Sequence, residues 1–285
     1  MNLKQKRLKL DTPLYHIKTL AKTIPNYRFV VYGEYVRDSI LKLNPMKIDV
    51  FTSASVDLII NILSRKIIPH KHLLVSRNSV TTTTTDGVGI VIEHSPLKLM
   101  KKKANANGIF TVNTILYDLK SNNFFSSTRS LNDLHNQVIK TANNPEDAFK
   151  FKPTTMIDAC GLLALNTRMQ LGEQTREEID KRYAVFHTQN RTQKLLTKMS
   201  LLKIMEYQIP SRAFRRLHEI GILKIILPEL DATVGVVQNR HHNIHFCPDC
   251  KNFFTLNRSN YQRWDTATVK DDAYTKKVLN KYRKG

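Results

Sequence analysis

The chain has 285 residues, of which 41% are hydrophobic, and it contains only nine glycines and ten prolines, so its composition indicates a globular protein rather than a disordered one. No apolar run approaches the ~20 residues that a membrane-spanning helix needs, and the N-terminus lacks the apolar core of a secretory signal. We therefore expect neither a membrane protein nor a secreted one. The three cysteines, Cys160, Cys247 and Cys250, are too few for a disulfide framework and predict a reducing compartment.

Charge is the strongest global feature of the sequence. The chain has 45 Lys and Arg against 24 Asp and Glu, a formal net charge of +21. Positive charge of this size destabilises the compact state unless a polyanion neutralises it. The excess is concentrated at both ends of the chain and in one internal lysine run, and each cluster predicts contact with phosphates without base selectivity. The predicted RNA-binding residues are Lys4, Lys6, Arg7, Lys9, Lys101, Lys102, Lys103, Lys276, Lys277, Arg283 and Lys284.

Helices and strands alternate in the first part of the chain. Apolar side chains at helical spacing predict a helix over residues 13–24, and a buried strand follows that closes on Gly33. The pattern then predicts a helix from residue 36, a short strand over 46–52 and a helix capped within residues 52–55.

The next segment is rich in strand-forming residues. Residues 72–94 predict two strands joined by the Asp86–Gly87 turn, and the five-threonine run is interpreted as strand because Thr favours strands. Residues 108–126 predict a strand or a strand–helix pair with a turn at 121–123, and helical patterns dominate from residue 131. The predicted fold is a mixed α/β head with flanking helices, followed by an all-α neck and body. The predicted parts are a basic extension with a helix (1–25), the head (26–130), the neck and body (131–238) and a His/Cys-containing basic extension (239–285).

Several sequence blocks occur in an order that is typical of one enzyme family. Residues 33–38, GEYVRD, precede a helix and then IDVFT at 48–52, and NGIFTVNTILYD follows at 107–118. This arrangement resembles the class II tRNA nucleotidyltransferases (CCA-adding enzymes) and bacterial poly(A) polymerases, whose head carries G-G-x-V-R-D, D-x-D-hydrophobic-x-T and R-R-D-F-T-x-N-A-x-x-Y-D. The resemblance covers residues 14 to 246 and implies a polymerase-β-like nucleotidyltransferase head. A further family spacing is matched by Asp133, Leu134, Ile139, Thr141, Pro145 and Phe149.

The departures from the family pattern fall on the residues that would perform the chemistry. In the family, two aspartates hold the divalent ions of phosphoryl transfer. Asp49 matches the second aspartate, but Lys47 stands at the first position and replaces a ligand with a positive charge. Glu34 replaces a glycine that would let the triphosphate approach the backbone. Glu34 is also the nearest carboxylate that could substitute for the missing ligand if the site is rearranged.

The nucleotide-contacting blocks also differ. The family's Arg-Arg-Asp corresponds here to residues 107–109, Asn-Gly-Ile, and three arginines of its nucleotide-selecting helix correspond to Thr155, Asp158 and Gly161. The sequence therefore predicts a pseudoenzyme with no catalytic residue, in which Gly33, Arg37, Asp38 and Asp49 are vestigial. Two alternatives stay open: an active nucleotidyltransferase or poly(A) polymerase with a rearranged metal site, and a protein scaffold that binds no RNA.

The segment after residue 238 combines a C-x-x-C pair with histidines. Cys247 and Cys250, with His242 and His245 just before them, could hold a zinc ion tetrahedrally. The alternative is that the histidines belong to a His-containing segment of the family and the cysteines are ordinary thiols. No other cofactor is expected.

These features together predict an RNA-binding protein rather than a catalyst. Contacts with structured RNA (rRNA or tRNA-like) need no active site, because shape and phosphate contacts supply most of the binding. The predicted role is a structural subunit of a large ribonucleoprotein, such as the mitochondrial ribosome, in contact with neighbouring proteins and with no membrane. Since class II relatives also serve organelles, the expected location is mitochondrial, with the bacterial or phage cytoplasm as the alternative.

Overall fold

The fold is described from a computed structural model of the chain. The structure describes Leu8, residues 11–45, 47–96, 98–100 and 109–234, and the backbone of two strands at 244–246 and 253–255. The chain separates into two compact units, Met1–Asn136 and Gln137–Gly285. None of the helices in the described part is both long and apolar enough to cross a membrane.

The first unit is built on a seven-stranded mixed sheet with the order β3-β4-β5-β2-β1-β6-β7. Only β2 and β5 run parallel, and every other neighbouring pair is antiparallel. The strands are β1 (Phe29–Tyr32), β2 (Lys47–Thr52), β3 (His70–Val75), β4 (Ser79–Thr84), β5 (Gly89–His94), β6 (Leu116–Asp118) and β7 (Asn123–Phe125). The helices are α1 (Thr12–Thr23), α2 (Glu34–Ile40), α3 (Val56–Ser64) and α4 (Thr128–His135).

Local sequence explains where the helices of this unit begin. The Asp11 side chain accepts a hydrogen bond from the Leu14 backbone N–H at 3.1 Å, and Pro13 lies in the first turn of α1. Ser55 caps α3 in the same way, which confirms the cap predicted within residues 52–55. Helix α1 buries Leu14, Ile17 and Leu20, the apolar positions of the predicted helical stripe.

The threonine-rich region forms one strand more than the sequence predicted. Strands β3 and β4 are separate because residues 76–79 form a turn, in which the Ser76 hydroxyl accepts a hydrogen bond from the Ser79 N–H at 3.1 Å. Within β4 the buried positions alternate, so Thr82 and Thr84 face inward, as expected for a strand. The predicted turn at Asp86–Gly87 does connect β4 to β5.

The second unit is mainly helical. Its helices are α5 (Pro145–Phe151), α6 (Thr154–Leu162), α7 (Glu173–Arg182), α8 (Arg191–Ile204), α9 (Pro210–Glu219), α10 (Ile222–Ile226) and α11 (Pro228–Asp231). Short 3₁₀ turns follow α6 and α7, at Leu163–Leu165 and Tyr183–Thr188. The mixed head followed by a mainly helical region confirms the predicted fold class, although the second unit also contains short strands.

Two helical predictions in this unit extended too far. Residues 138–139 and 170–171 form a parallel pair of two-residue strands, β8 (Val138–Ile139) and β9 (Gln170–Leu171), where the sequence predicted helix. The predicted helix over 211–227 is also divided, because Gly221 has φ 80° and starts a new helix, α10. Near the chain end, β10 (Ile244–Phe246) pairs antiparallel with β11 (Phe253–Thr255).

Helix α6 is the centre of the second unit. It packs against α8 and α9, and its residues Thr154 to Leu162 are almost all buried. At Gly161 an added Cβ would lie 2.9 Å from Cγ1 of Ile204, so only glycine lets α8 approach this closely. Arg212 of α9 stabilises the end of this segment by donating to the Leu163 and Met169 carbonyls at 2.9 Å each. Cys160, on the same helix, is a free buried thiol whose pKa burial raises to about 12.

An ion pair holds the first strand of the head to β6. Arg28, just before β1, donates from Nη2 to Oδ2 of the buried Asp118 at 2.7 Å. Asp118 also accepts hydrogen bonds from the Ser121 hydroxyl at 2.8 Å and from the Lys120 N–H at 3.2 Å. Burial by itself would raise the pKa of Asp118, but the hydrogen bonds from Arg28, Ser121 and Lys120 outweigh it and lower that pKa.

This pair makes a testable contribution to stability. A depressed carboxyl pKa contributes stability above the unfolded-state value near 3.9 and loses it as the pH falls through the lower folded-state pKa. We expect Asp118→Asn to lower the free energy of unfolding at pH 7 by about 1–3 kcal/mol, because a hydrogen-bonded charge is lost. The difference from the native chain should shrink below about pH 4.

Urea unfolding at pH 7 and in a series down to pH 3 measures this effect. Asp57→Asn is the matched control, because Asp57 is an exposed carboxylate on α3, and we expect it to change stability by less than about 0.5 kcal/mol. An Asp118→Asn difference that stays constant across the series would contradict the assignment.

Candidate functional site

The turn between β1 and α2 is the part of the head that matches the family's phosphate-binding turn. Strand β1 ends at Tyr32, Gly33 has φ 76° and ψ −139°, and α2 starts at the next residue. Since side-chain-bearing residues rarely adopt this φ, glycine is required here. A Cβ at Gly33 would lie 4.0 Å from Oδ2 of Asp49, so the turn lies directly beside that carboxylate.

Strand β2 carries Lys47 and Asp49, which correspond to the two metal-binding aspartates of the family that the sequence resembles. Residues 47 and 49 are two apart in a strand and therefore point to the same face. Lys47 Nζ lies 3.1 Å from Oδ1 of Asp49, and the Asp49 side chain is 15% exposed while that of Lys47 is 59% exposed. Asp49 stands opposite Tyr32 in the β1–β2 register, which places the ion pair next to the glycine turn. The ammonium group thus lies against the carboxylate that the family resemblance matches to a metal ligand.

The donors at this turn do not fit the divalent cation that the family resemblance implies. Mg²⁺ and Ca²⁺ take several oxygen ligands, and a lysine ammonium only donates hydrogen bonds. Within the described ranges, no group of three or more His, Cys, Asp or Glu side chains is placed to hold a metal ion. Glu34 is the carboxylate that could replace the missing metal ligand at position 47. It lies in the first turn of α2 and is half-buried.

Arg37 is the central residue of the matched motif, and it points into the protein. Its side chain is fully buried, Nε donates to Oδ1 of Asp38 at 2.6 Å and Nη1 donates to Oδ1 of Asn113 at 2.9 Å. Asn113 belongs to the 3₁₀ turn Thr111–Asn113, part of the second matched block. Arg37 therefore joins the two blocks as a positioning residue inside the head.

The three positions of α6 that correspond to nucleotide-selecting arginines have structural contacts in the second unit. Thr155 is buried, and Asp158 accepts a hydrogen bond from the Ser200 hydroxyl at 2.6 Å and lies 4.0 Å from Lys152 Nζ. The contact between Gly161 and Ile204 leaves no room for a larger side chain. At each position the residue present is engaged in packing or in contacts within this unit.

Most other predicted site residues lie outside the described ranges. All eleven predicted RNA-binding residues do so, and so do Asn107 and Gly108. Of the four zinc candidates, Cys247, Cys250 and His242 also lie outside them. His245 lies in β10, where the backbone register places it opposite Phe254. The RNA-binding and zinc assignments therefore stay predictions.

Sequence reasoning did not predict the cleft beside Asp118. A cavity of about 450 Å³ is lined there by Asn26, Tyr27, Arg28, Ser53, Asp118, Lys120 and Ser121. Arg28 and Asp118 are separated by 90 positions in the sequence. Asp118 was matched to the family block, but nothing in its spacing indicated Arg28 as its partner.

Comparisons with known proteins agree with this geometry at the level of the fold. No protein-family model and no curated protein sequence matches the chain. Among solved structures, the CCA-adding enzyme of Thermotoga maritima complexed with tRNA is 18% identical, with a TM-score of 0.63 over 79% of this chain and 56% of that one. The Bacillus stearothermophilus CCA-adding enzyme in complex with CTP is 17% identical, with a TM-score of 0.58 over 78% of this chain and 57% of that one.

A third structure extends the same likeness. A tRNA nucleotidyltransferase complexed with a primer tRNA and an incoming ATP analogue is 14% identical, with a TM-score of 0.57 over 79% of this chain and 64% of that one. The chain thus spans less than two thirds of the length of each of these three structures. The described part of the chain has the fold of the class II CCA-adding enzymes, as the order of its motifs predicted.

Proposed function

We propose that this chain is a non-catalytic RNA-binding protein that uses the fold of a CCA-adding enzyme. The observation that carries the proposal is the ion pair at the former metal position, in which the Lys47 ammonium lies 3.1 Å from Asp49. To bind a divalent ion at Asp49, the protein would have to break this pair and bring in oxygen ligands from elsewhere. The buried or packed residues at 155, 158 and 161 support the same conclusion, since no arginine stands there.

The fold and the charge favour RNA as the partner. Two of the structures with this fold were solved with tRNA, and the chain has a net charge of +21. We infer that it is a stoichiometric subunit of a large ribonucleoprotein, for which a mitochondrial ribosome is our specific proposal. A turnover enzyme must release its product, whereas a structural subunit gains from extended phosphate neutralisation.

The second candidate is an active nucleotidyltransferase with a rearranged metal site. Glu34 favours it, because this half-buried carboxylate begins α2 directly after Gly33, whose turn lies beside Asp49. Nucleotide incorporation separates the two candidates directly.

We predict that the protein does not extend RNA. With Mg²⁺ or Mn²⁺, labelled CTP and ATP, and tRNA lacking its 3′ end, the full chain should add no nucleotide above background. Lys47→Asp alone should not restore activity, because the nucleotide-contacting arginines are absent as well. The Thermotoga maritima CCA-adding enzyme serves as the positive control. Metal-dependent extension that disappears in Asp49→Ala would show that the site is active.

We predict that RNA binding depends steeply on salt. If the basic clusters neutralise six phosphates, affinity for structured RNA should fall roughly a thousandfold between 50 and 200 mM salt. Replacing Lys101, Lys102 and Lys103 together by Gln should reduce the slope of log affinity against log salt by about 2–3. The control replaces Lys22, Lys71 and Lys181, three exposed lysines outside the clusters. An equal reduction of the slope in the control would show that the lysine run is not part of the RNA interface.

The ribonucleoprotein assignment has its own measurement. In cell or organelle extract at moderate salt, the protein should sediment with ribosomal RNA in one large peak and move to lighter fractions after ribonuclease treatment. A free monomer at low salt, with no RNA attached, would show that the assignment is wrong.

We also propose that the Cys247–Cys250 pair, with His242 and His245, holds zinc. In the sequence the pair lies between the antiparallel strands β10 and β11, and C-x-x-C is a ligand spacing of tetrahedral zinc sites. Protein prepared without chelator should contain about one equivalent of zinc, and Cys247→Ser should lower it. Cys160→Ala is the control, because Cys160 is buried in α6. If the native protein contains no metal and is equally stable without it, Cys247 and Cys250 are ordinary thiols and the zinc proposal is wrong.

A further inference from the structure

Helix α8 has two apolar faces. One face carries Thr197, Leu201 and Ile204, which are buried within the second unit. The other carries Leu195 and Met199, whose exposed fractions are 56% and 58%, and continues to Leu202. A surface helix of a globular domain usually has a single apolar stripe that faces the core. The second stripe therefore indicates a surface that another molecule covers.

The second stripe borders a groove. The groove has a volume of about 850 Å³ and is lined by α8, by the end of α10 and by the start of α11. The α8 residues that line the groove run from Arg191 to Leu202, about 17 Å along the helix, which matches a partner helix of about three turns. Its apolar lining includes Leu195, Leu201, Leu202, Ile225, Ile226 and Leu227.

The rim of the groove is basic. Arg191, Lys194 and Lys198 line it from α8, and His187 lines it from the preceding 3₁₀ turn. No Asp or Glu lines the groove within the described part of the chain. A partner that fits this surface supplies apolar side chains for the floor and negative charge for the rim.

Charge distinguishes the molecules that could occupy the groove: a segment of this chain, a second copy of it, RNA or another protein. The chain's own residues 256–285 contain eight Lys or Arg and three Asp, so they would be repelled by the rim. A second copy, with a net charge of +21 and the same basic rim, would be repelled as well. RNA matches the charge but leaves the aliphatic floor without a partner. Acidic amphipathic protein segments match both the floor and the rim.

We propose that this groove docks an amphipathic helix of a partner protein, with aliphatic side chains at helical spacing and Asp or Glu on the flank that faces α8. The helix would lie along α8, with its apolar face on Leu195 and Leu202 and its acids near Lys194 and Lys198. This inference is independent of whether the head is catalytic, since every residue in it belongs to the second unit.

The test uses two synthetic 18-residue peptides with the full-length protein. Both peptides have the same leucines at helical spacing; one has Glu on its flanks and the other has Lys. In fluorescence anisotropy titrations, the Glu peptide should bind at least about tenfold more tightly than the Lys peptide. Leu195→Glu should lower the affinity for the Glu peptide by at least about tenfold, and Lys194→Glu should lower this affinity as well.

The control variants carry the same Leu→Glu and Lys→Glu substitutions on β3, outside the groove. Leu74→Glu is matched to Leu195→Glu, because Leu74 on β3 is 70% exposed, and Lys71→Glu is matched to Lys194→Glu. Both should leave peptide binding unchanged. Failure of the Glu peptide to bind, equal binding of the two peptides, or no effect of Leu195→Glu would each overturn the proposal.

Two further measurements identify a different occupant. A concentration-dependent dimer in sedimentation velocity that Leu195→Glu abolishes would assign the groove to a second copy of the chain. Loss of RNA retention in Leu195→Glu, with the Leu74→Glu control unaffected, would assign it to RNA. Either result would overturn the proposal of a protein helix.

Discussion

The guanidinium group of Arg37 lies buried inside the head and links segments that are far apart in the chain. It donates to Asp38 on its own helix and to Asn113 in the 3₁₀ turn, 76 positions later. A buried charge is tolerated only when it is paired and hydrogen-bonded, and removing one partner of such a pair costs about 3–5 kcal/mol. The positions of α2, of the glycine turn before it and of the 111–113 turn therefore depend on this one side chain.

This constraint explains why the family motif is only partly present. The residues that match, Gly33, Arg37, Asp38 and Asn113, shape the turn or hold the buried guanidinium. The differing residues Lys47 and Glu34 are more exposed than the fully buried Arg37. A substitution at the exposed surface of the turn costs the fold little. Loss of Arg37 would leave buried polar groups without their hydrogen bonds.

The ion pair of Lys47 and Asp49 changes the electrostatics of the turn. In a metal-dependent transferase, a carboxylate cluster at this place attracts divalent ions, and the ions neutralise the phosphates. Here the ammonium neutralises Asp49 within the protein itself. The Asp49 carboxylate is therefore paired inside the protein, and its side chain is only 15% exposed. In the second unit, α8 combines a buried face with an exposed apolar face, so this helix serves both the core and a surface groove.

The sequence by itself determined the fold class, the glycine turn, the cap of α3 and the position of Lys47, because each depends on local spacing or on one residue type. It also located Thr155, Asp158 and Gly161 as departures. Tertiary structure alone decided that Arg37 points inward, that Gly161 is required by Ile204 and that Arg28 pairs with Asp118, because these contacts join residues distant in sequence. Tertiary structure likewise made residues 138–139 and 170–171 strands, where local propensity indicated helix, because pairing of β8 with β9 satisfies their backbone groups.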